Sequence, residues 1–414
     1  MLRLAAKSVL GSTAAAVDRA ATLAAYAQTS RRRRRSRSES LGHGERLAAL
    51  EQLLAAYEDA SSDFFVSPAP IRPRRRHVRS LEGGAVEDVF WTNTYEPFLE
   101  GIADRYRRGG GDPTARLFRH REPRSALILV HGYMAGQHRV EERVWPTSWL
   151  YRRGLDLAFY VLPHHGIRGP GRRFAPPRFP GSDPRITNEG FRQAMSELTS
   201  LVSWLLDSGH PRVGIMGMSL GGYTTALAAT VESRLSCAVP VIPLTSIADF
   251  ARDQGRLGTT PSEEVREHRA LDRVHHIISP LHRAPLLAPE QMLIVAAEAD
   301  RITPVRHAQR LGRHFGAPVE TWHGGHLLQF GRRNKFRRIG AFLGETGTVP
   351  RSAHGRQAFG SSSVKQMLRP AMNGSQQHSP ALEHSLLLVQ PKPPELSEPM
   401  EPRLPMDPRL PTEP

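Results

Sequence analysis

The stretch from Arg212 to Thr230, RVGIMGMSLGGYTTALAAT, constrains the fold more than any other part of the chain. Its apolar run Val213, Ile215, Met216 follows the turn signal Gly209-His210-Pro211 and reads as a short buried strand. The run ends in Gly217-Met218-Ser219-Leu220-Gly221, followed by small residues that suit a helix lying close on a sheet. A serine at this spacing sits on a sharp strand-to-helix turn, with glycines two positions to either side where side chains would clash. Ser219 is therefore expected to be a nucleophile. Five residues recur by chance, and a serine that merely caps a helix is the competing explanation, so the neighbouring segments must decide.

Two of them arrive in a consistent order. Ser125 to Gly136, SALILVHGYMAG, predicts a strand over Ala126 to Val130 that exits through His131-Gly132 into a glycine-containing loop. The backbone amides of Tyr133 and Leu220 would then face one oxygen, as donors to a charge developing in a tetrahedral intermediate. Downstream, MLIVAAEADRITP predicts a strand running into Glu298-Ala299-Asp300, and VETW predicts a last short strand before His323-Gly324-Gly325-His326. Nucleophile, acid and histidine follow one another as Ser219, Asp300 and His326. The imidazole would remove and return the serine proton while the carboxylate fixes its tautomer. Glu298 and Asp249 compete for the acid's role, and His323 for the base's.

The segments SALILVHGYMAG, GIMGMSLGGY, AAEADRITP and WHGGH resemble the oxyanion loop, nucleophile elbow, acid turn and histidine loop of the α/β-hydrolase superfamily, over roughly residues 85 to 345. The resemblance implies an α/β fold, a mostly parallel central sheet with helices on both faces. It also favours His326 over His323, because the superfamily's histidine follows the glycine pair. LPHHGIRGP, CAVPVIPLTS and WHGGH are further similar to the alpha/beta-hydrolase-domain-containing protein 18 family, which implies a lipid or ester hydrolase.

Composition sets the flanks apart. Of 414 residues, about 260 in the middle suffice for one domain with a buried core. Residues 1–80 hold 15 Lys and Arg against 7 Asp and Glu, half of the chain's formal charge of +16. The runs Arg31 to Arg35 and Arg74 to Arg76 predict first a solvated basic arm, then a handle for phosphate-bearing partners, an anionic membrane surface ahead of nucleic acid, since no aromatic platform accompanies them. Within this arm, Leu47, Leu50, Leu54 and Tyr57 predict a docking helix over 45–57. Residues 351–414 carry eleven prolines, six of them every third residue from 399 to 414, and read as a disordered tail or a polyproline ligand. No apolar run reaches the roughly 18 residues of a membrane span. The acid-poor, Arg- and Ser-containing amino terminus is compatible with a transit peptide. The single cysteine, Cys237, reads as a buried core thiol in a reducing, cytoplasmic setting. No metal-ligand spacing occurs, and no cofactor is required.

Alternation of strands and helices predicts the site at the carboxyl ends of the strands. Residues 164–187, rich in Gly and Pro, predict a rim whose Arg168, Arg172, Arg173 and Arg178 read as a solvated basic loop, the commoner outcome, or as cations that favour an anionic substrate group. Residues 247–287 predict a helix from Ser262 to Ile278 that either forms a small cap, offering Leu257, Leu271, Val274 and Ile278 to an acyl pocket, or simply packs on the rim. The expected reaction is hydrolysis of a small-molecule or lipid ester, or a thioester, through an acyl-enzyme. A peptidase is disfavoured because no long propeller-like domain precedes the hydrolase region. The other class to weigh is a non-catalytic scaffold on the same fold, recruiting partners through its tails.

Overall fold

The computed structural model describes residues 11–20, 42–58, 64–65, 70–107, 110–169 and 177–349. The expectations for Arg31 to Arg35, Arg172, Arg173 and the proline segment 351–414 lie outside the described residues.

Nine strands form one sheet: β1 (Arg74–Leu81), β2 (Gly84–Phe90), β3 (Thr114–His120), β4 (Ala126–Val130), β5 (Asp156–Tyr160), β6 (Val213–Met218), β7 (Leu235–Val241), β8 (Ile294–Ala297) and β9 (Val319–Trp322). Their spatial order is β1-β2-β3-β5-β4-β6-β7-β8-β9. The first three pair antiparallel and β3 meets β5 antiparallel, while β5, β4, β6, β7, β8 and β9 run parallel. Central β4 and β5 are buried along their whole lengths, which explains their uninterrupted apolar runs: both faces are covered by helices. This is the α/β-hydrolase fold.

The Pro184–Asp207 helix starts where Asp183 accepts the Arg185 amide and proline occupies the first turn. It lays Phe191, Met195, Leu198, Leu201 and Leu205 onto one side of the sheet. The helix read from Ser262 instead spans Pro261–Val274, because Thr260 rather than Ser262 forms the capping box with Glu263. Of its four expected pocket residues, Val274 and Ile278 belong to the main core, and Leu257 and Leu271 are half-buried.

The expected boundary between arm and domain cuts through the sheet. β1 pairs with β2 from Arg74 to Leu81, and its arginines meet acids: Arg76 with Asp88 at 2.9 Å and Arg79 with Glu142 at 2.7 Å. The Arg74 to Arg76 run is thus an edge strand whose charge discourages pairing with another chain, rather than part of a free arm. The His43–Glu58 helix docks on the Pro261–Val274 helix, with His43 and Arg46 reaching Glu267 at 2.7 and 2.8 Å. At the other end the domain runs past 345, since Thr348 and Val349 are buried and the Thr348 hydroxyl reaches Ser236 and Cys237. Cys237 is buried, and burial raises its thiol pKa. No helix among the described residues is long and apolar enough to cross a membrane.

Arg168 corrects the basic-rim expectation. It points inward, 2% exposed, and holds Glu197 with its two terminal guanidinium nitrogens at 2.7 and 2.8 Å, while Tyr160 and Gln193 donate to the same carboxylate. Arg178 donates to the Arg105 carbonyl at 2.7 Å. Arg168 therefore fastens the loop after β5 to the Pro184–Asp207 helix, and is not available to a substrate. Replacing it alone, as Arg168→Met, leaves a buried carboxylate without its cation and should cost about 3–5 kcal/mol in urea unfolding; Arg168→Met with Glu197→Leu should recover only part of that loss, because the buried Tyr160 and Gln193 donors then lose their acceptor.

Candidate active site

The site is built at the carboxyl ends of β4, β6, β7 and β8 and in the loop after β9. β6 ends at Met218, and the next residue, Ser219, takes φ 59° and ψ −112° before the Leu220–Ala228 helix begins. The close approach that forces this bend explains two glycines. A Cβ on Gly217 would stand 2.1 Å from the Gly221 carbonyl oxygen, and one on Gly221 would stand 2.2 Å from that of Val130. The Ser219 amide donates to Val241 O at 2.9 Å, tying the corner to β7.

Ser219 Oγ lies 2.9 Å from His326 Nε2, and His326 Nδ1 lies 2.7 Å from Asp300 Oδ2. A carboxylate only accepts, so the imidazole proton belongs on Nδ1, and Nε2 is left to accept from the serine hydroxyl. The Asp300 side chain is fully buried, and its oxygens are occupied: the Ile302 and Thr303 amides donate to Oδ1 at 2.8 and 2.7 Å. The Thr303 hydroxyl stands 3.0 Å from Oδ2 and 3.1 Å from the Ile242 carbonyl, so its one proton has two acceptors. These bonds leave the carboxylate a single orientation, with Oδ2 toward the histidine.

The competing residues have other partners. Glu298 is half exposed and pairs with His323 Nδ1 at 3.2 Å, apart from the chain of bonds through His326. Asp249, on the Ile247–Asp253 helix, is held by Arg252 of the same helix and by His268 and Arg310.

On the oxyanion side, a Cβ on Gly132 would stand 3.6 Å from Ser219 Cβ, so Tyr133 follows the residue that faces the serine, as Leu220 follows the serine itself. His131 braces this loop from behind. Its Nε2 accepts the Leu162 amide at 3.1 Å, which places the proton on Nδ1, 2.7 Å from Gly132 O. Burial pushes its pKa down to about 4. His165 packs edge-on against the Tyr133 ring, is likewise buried, and burial holds its pKa well below the usual imidazole range. Both histidines support the loop as neutral rings.

Three contributors escaped the sequence. Thr303 touches the acid and the histidine at once. Buried Lys335, 3.8 Å from the Trp322 ring centre, donates to Gln329, whose amide nitrogen reaches the His326 carbonyl at 3.3 Å. Burial, with Arg332 nearby, holds the Lys335 amine pKa well below that of a free lysine. Asp18, from the amino-terminal segment, accepts the His326 amide. Of these, only Thr303 had a local signal, an Asp followed three residues on by a hydroxyl within a turn.

Comparison with known proteins adds the following. The sequence profile of the Prolyl oligopeptidase family, Peptidase_S9, matches residues 192–315. Two proteins of Mycobacterium tuberculosis strains, both described as uncharacterized, are 34% identical over 255 residues, covering 59% of this chain. The aligned region spans 60% of those relatives' length. Similar solved structures include an acetyl xylan esterase from Paenibacillus sp. R4, with TM-score 0.46 and 18% identity over 72% of this chain and 94% of that one. A puromycin-hydrolyzing peptidase of Mycobacterium tuberculosis follows, with TM-score 0.40 and 18% identity over 67% of this chain and 39% of that one.

The buried histidines predict a pH dependence of stability. His131 and His138 are both pushed from 6.5 to about 4 by burial, with Arg116 adding to the effect at His138. Their folded values lie below the unfolded one, so the unfolded chain takes up protons first as pH falls. Stability should be fully present above 6.5 and lost progressively toward about 4. Thermal midpoints measured across that window should fall, and His131→Gln should make the fall shallower.

Proposed function

We propose that the chain is a serine hydrolase that cleaves a carboxylic ester or thioester through an acyl-enzyme on Ser219. The observation that carries this reading is the continuous path of two short hydrogen bonds from Ser219 Oγ through the His326 ring to buried Asp300. As Oγ attacks the acyl carbon, Nε2 takes its proton, and the imidazolium that forms is held by the Asp300 carboxylate through Nδ1. The Tyr133 and Leu220 amides receive the oxyanion, the second helped by the positive end of the Leu220–Ala228 helix. The imidazolium returns the proton to the leaving oxygen or sulfur, and water repeats the sequence to release the acid.

Large exposed apolar side chains support a substrate with an apolar acyl group. Tyr133 and Met134 are 44% and 52% exposed on the oxyanion loop, and Leu327 is 53% exposed beside His326. Ile167, 49% exposed, is tied to that loop by a hydrogen bond from its backbone N–H to Gly136 O at 3.3 Å. Apolar surface at a site's mouth suits a lipid-like ligand, which accords with the similarity to the alpha/beta-hydrolase-domain-containing protein 18 family. The second reading is a peptidase, favoured by the match of residues 192–315 to the Prolyl oligopeptidase profile.

A fluorophosphonate probe should label the wild-type chain at Ser219, and Ser219→Ala and His326→Ala should abolish labelling. Ester turnover should fall by about 10⁴- to 10⁶-fold in either variant, while His323→Ala keeps it. A panel of p-nitrophenyl esters of rising chain length against matched amides and proline-containing peptides separates the two readings: preference for longer acyl esters is expected. Faster peptide cleavage would favour the peptidase, and an unlabelled wild type would leave a scaffold.

A further inference from the structure

We infer that Asp18 is a positioning residue for the catalysis proposed above, which makes the amino-terminal 11–20 helix a working part of the active site. Asp18 Oδ2 accepts the His326 amide at 2.7 Å and the Arg301 amide at 3.1 Å, and Oδ1 accepts the Leu327 amide at 3.1 Å. Arg301 adjoins the acid and His326 is the base. One carboxylate thus grips the backbone on both sides of the Asp300–His326 bond, from 283 and 308 residues away in the chain.

The helix is shaped for this contact. Gly11, Ala14, Ala15 and Asp18 share one face at helical spacing, and Ala14 and Asp18 are fully buried. The small residues let the helix backbone lie directly on the histidine loop. A Cβ on Gly11 would stand 3.3 Å from the His323 ring, and one on Gly325 would stand 3.1 Å from Ala14 O and 2.7 Å from Asp18 Oδ2. Gly325 therefore leaves the room that the Asp18 carboxylate occupies. The loop it stabilises contains Gly324 and Gly325 and has few side chains of its own to fix it. Without Asp18, three inward-facing amides lose a charged acceptor, and the acid turn and histidine loop lose their shared anchor. A segment whose composition resembles a leader thereby carries a residue that the chemistry uses.

The test uses the full chain with Asp18→Asn and Asp18→Ala, and the exposed neighbour Arg19→Ala as control. Four readouts are compared: kcat and KM on a p-nitrophenyl ester, fluorophosphonate labelling rate per folded molecule, thermal midpoint, and amide exchange of peptides covering 298–304 and 322–329. Misplacing a catalytic group by about 1 Å costs on the order of 100-fold, so kcat in Asp18→Asn should fall roughly 10- to 100-fold with KM nearly unchanged. Exchange should quicken in those two peptides and not across β4 to β7, and Arg19→Ala should match wild type throughout. If Asp18→Ala is not recovered folded, Asp18→Asn decides. Unchanged kcat and loop exchange in Asp18→Asn would overturn the inference, as would a loss of activity matched by faster exchange throughout the sheet, or failure of both variants to fold. A wild type that takes no label would count against the hydrolase reading instead, and loop exchange alone would then decide whether Asp18 anchors the two loops.

Discussion

The positive φ of Ser219 is the constraint from which the site follows. A non-glycine residue held in that region costs about 1–3 kcal/mol and persists only where its surroundings over-determine it. Here they do: the Ser219 amide is bonded to β7, and Gly217 and Gly221 close against one another and against β4 with no room for a methyl group. Met134 and Ile242, at φ 60° and 41°, carry the same kind of backbone on the oxyanion loop and after β7. With His164, at φ 60° after β5, all four positive-φ non-glycine residues among those described follow the carboxyl ends of the parallel strands β4 to β7, where buried strands offset the strain.

Around that corner, the protein sorts its histidines by what surrounds them. His131 and His165 lie fully buried behind the oxyanion loop, bonded to backbone groups, and burial holds them neutral. His326 instead has a carboxylate on one nitrogen and a hydroxyl on the other, and keeps some contact with solvent. Only the second environment supplies both partners that the proposed mechanism needs. Asp300, fully buried, is kept in place by two amides, with the Thr303 hydroxyl beside it. In the proposed mechanism it would stabilise the imidazolium without reorganising.

Much of this was legible because the decisive signals are local. The β4 run, the β6 elbow, the Asp300 turn and the histidine after its glycine pair are each contained within about a dozen residues, and the structure brings Ser219, Asp300 and His326 together. What stayed hidden depends on partners far away in the chain. Arg168 looked like a free rim cation because nothing near it in sequence announces Glu197, 29 residues on in the next helix. The arginines of β1 looked like a flexible arm because an edge strand facing solvent lacks the apolar alternation that marks strands. Asp18 interrupts an alanine-rich segment, and its three amide partners lie near the opposite end of the domain. Local pattern cannot report a contact that only the closed fold creates.

The most direct measurement is rapid acid quench of the protein during turnover of a slowly deacylated p-nitrophenyl ester, followed by mass spectrometry of its peptides. The account predicts a mass increase equal to the acyl group, carried by the peptide that contains Ser219 and absent from Ser219→Ala. An acyl group found on another residue, or turnover by Ser219→Ala at the wild-type rate, would contradict it.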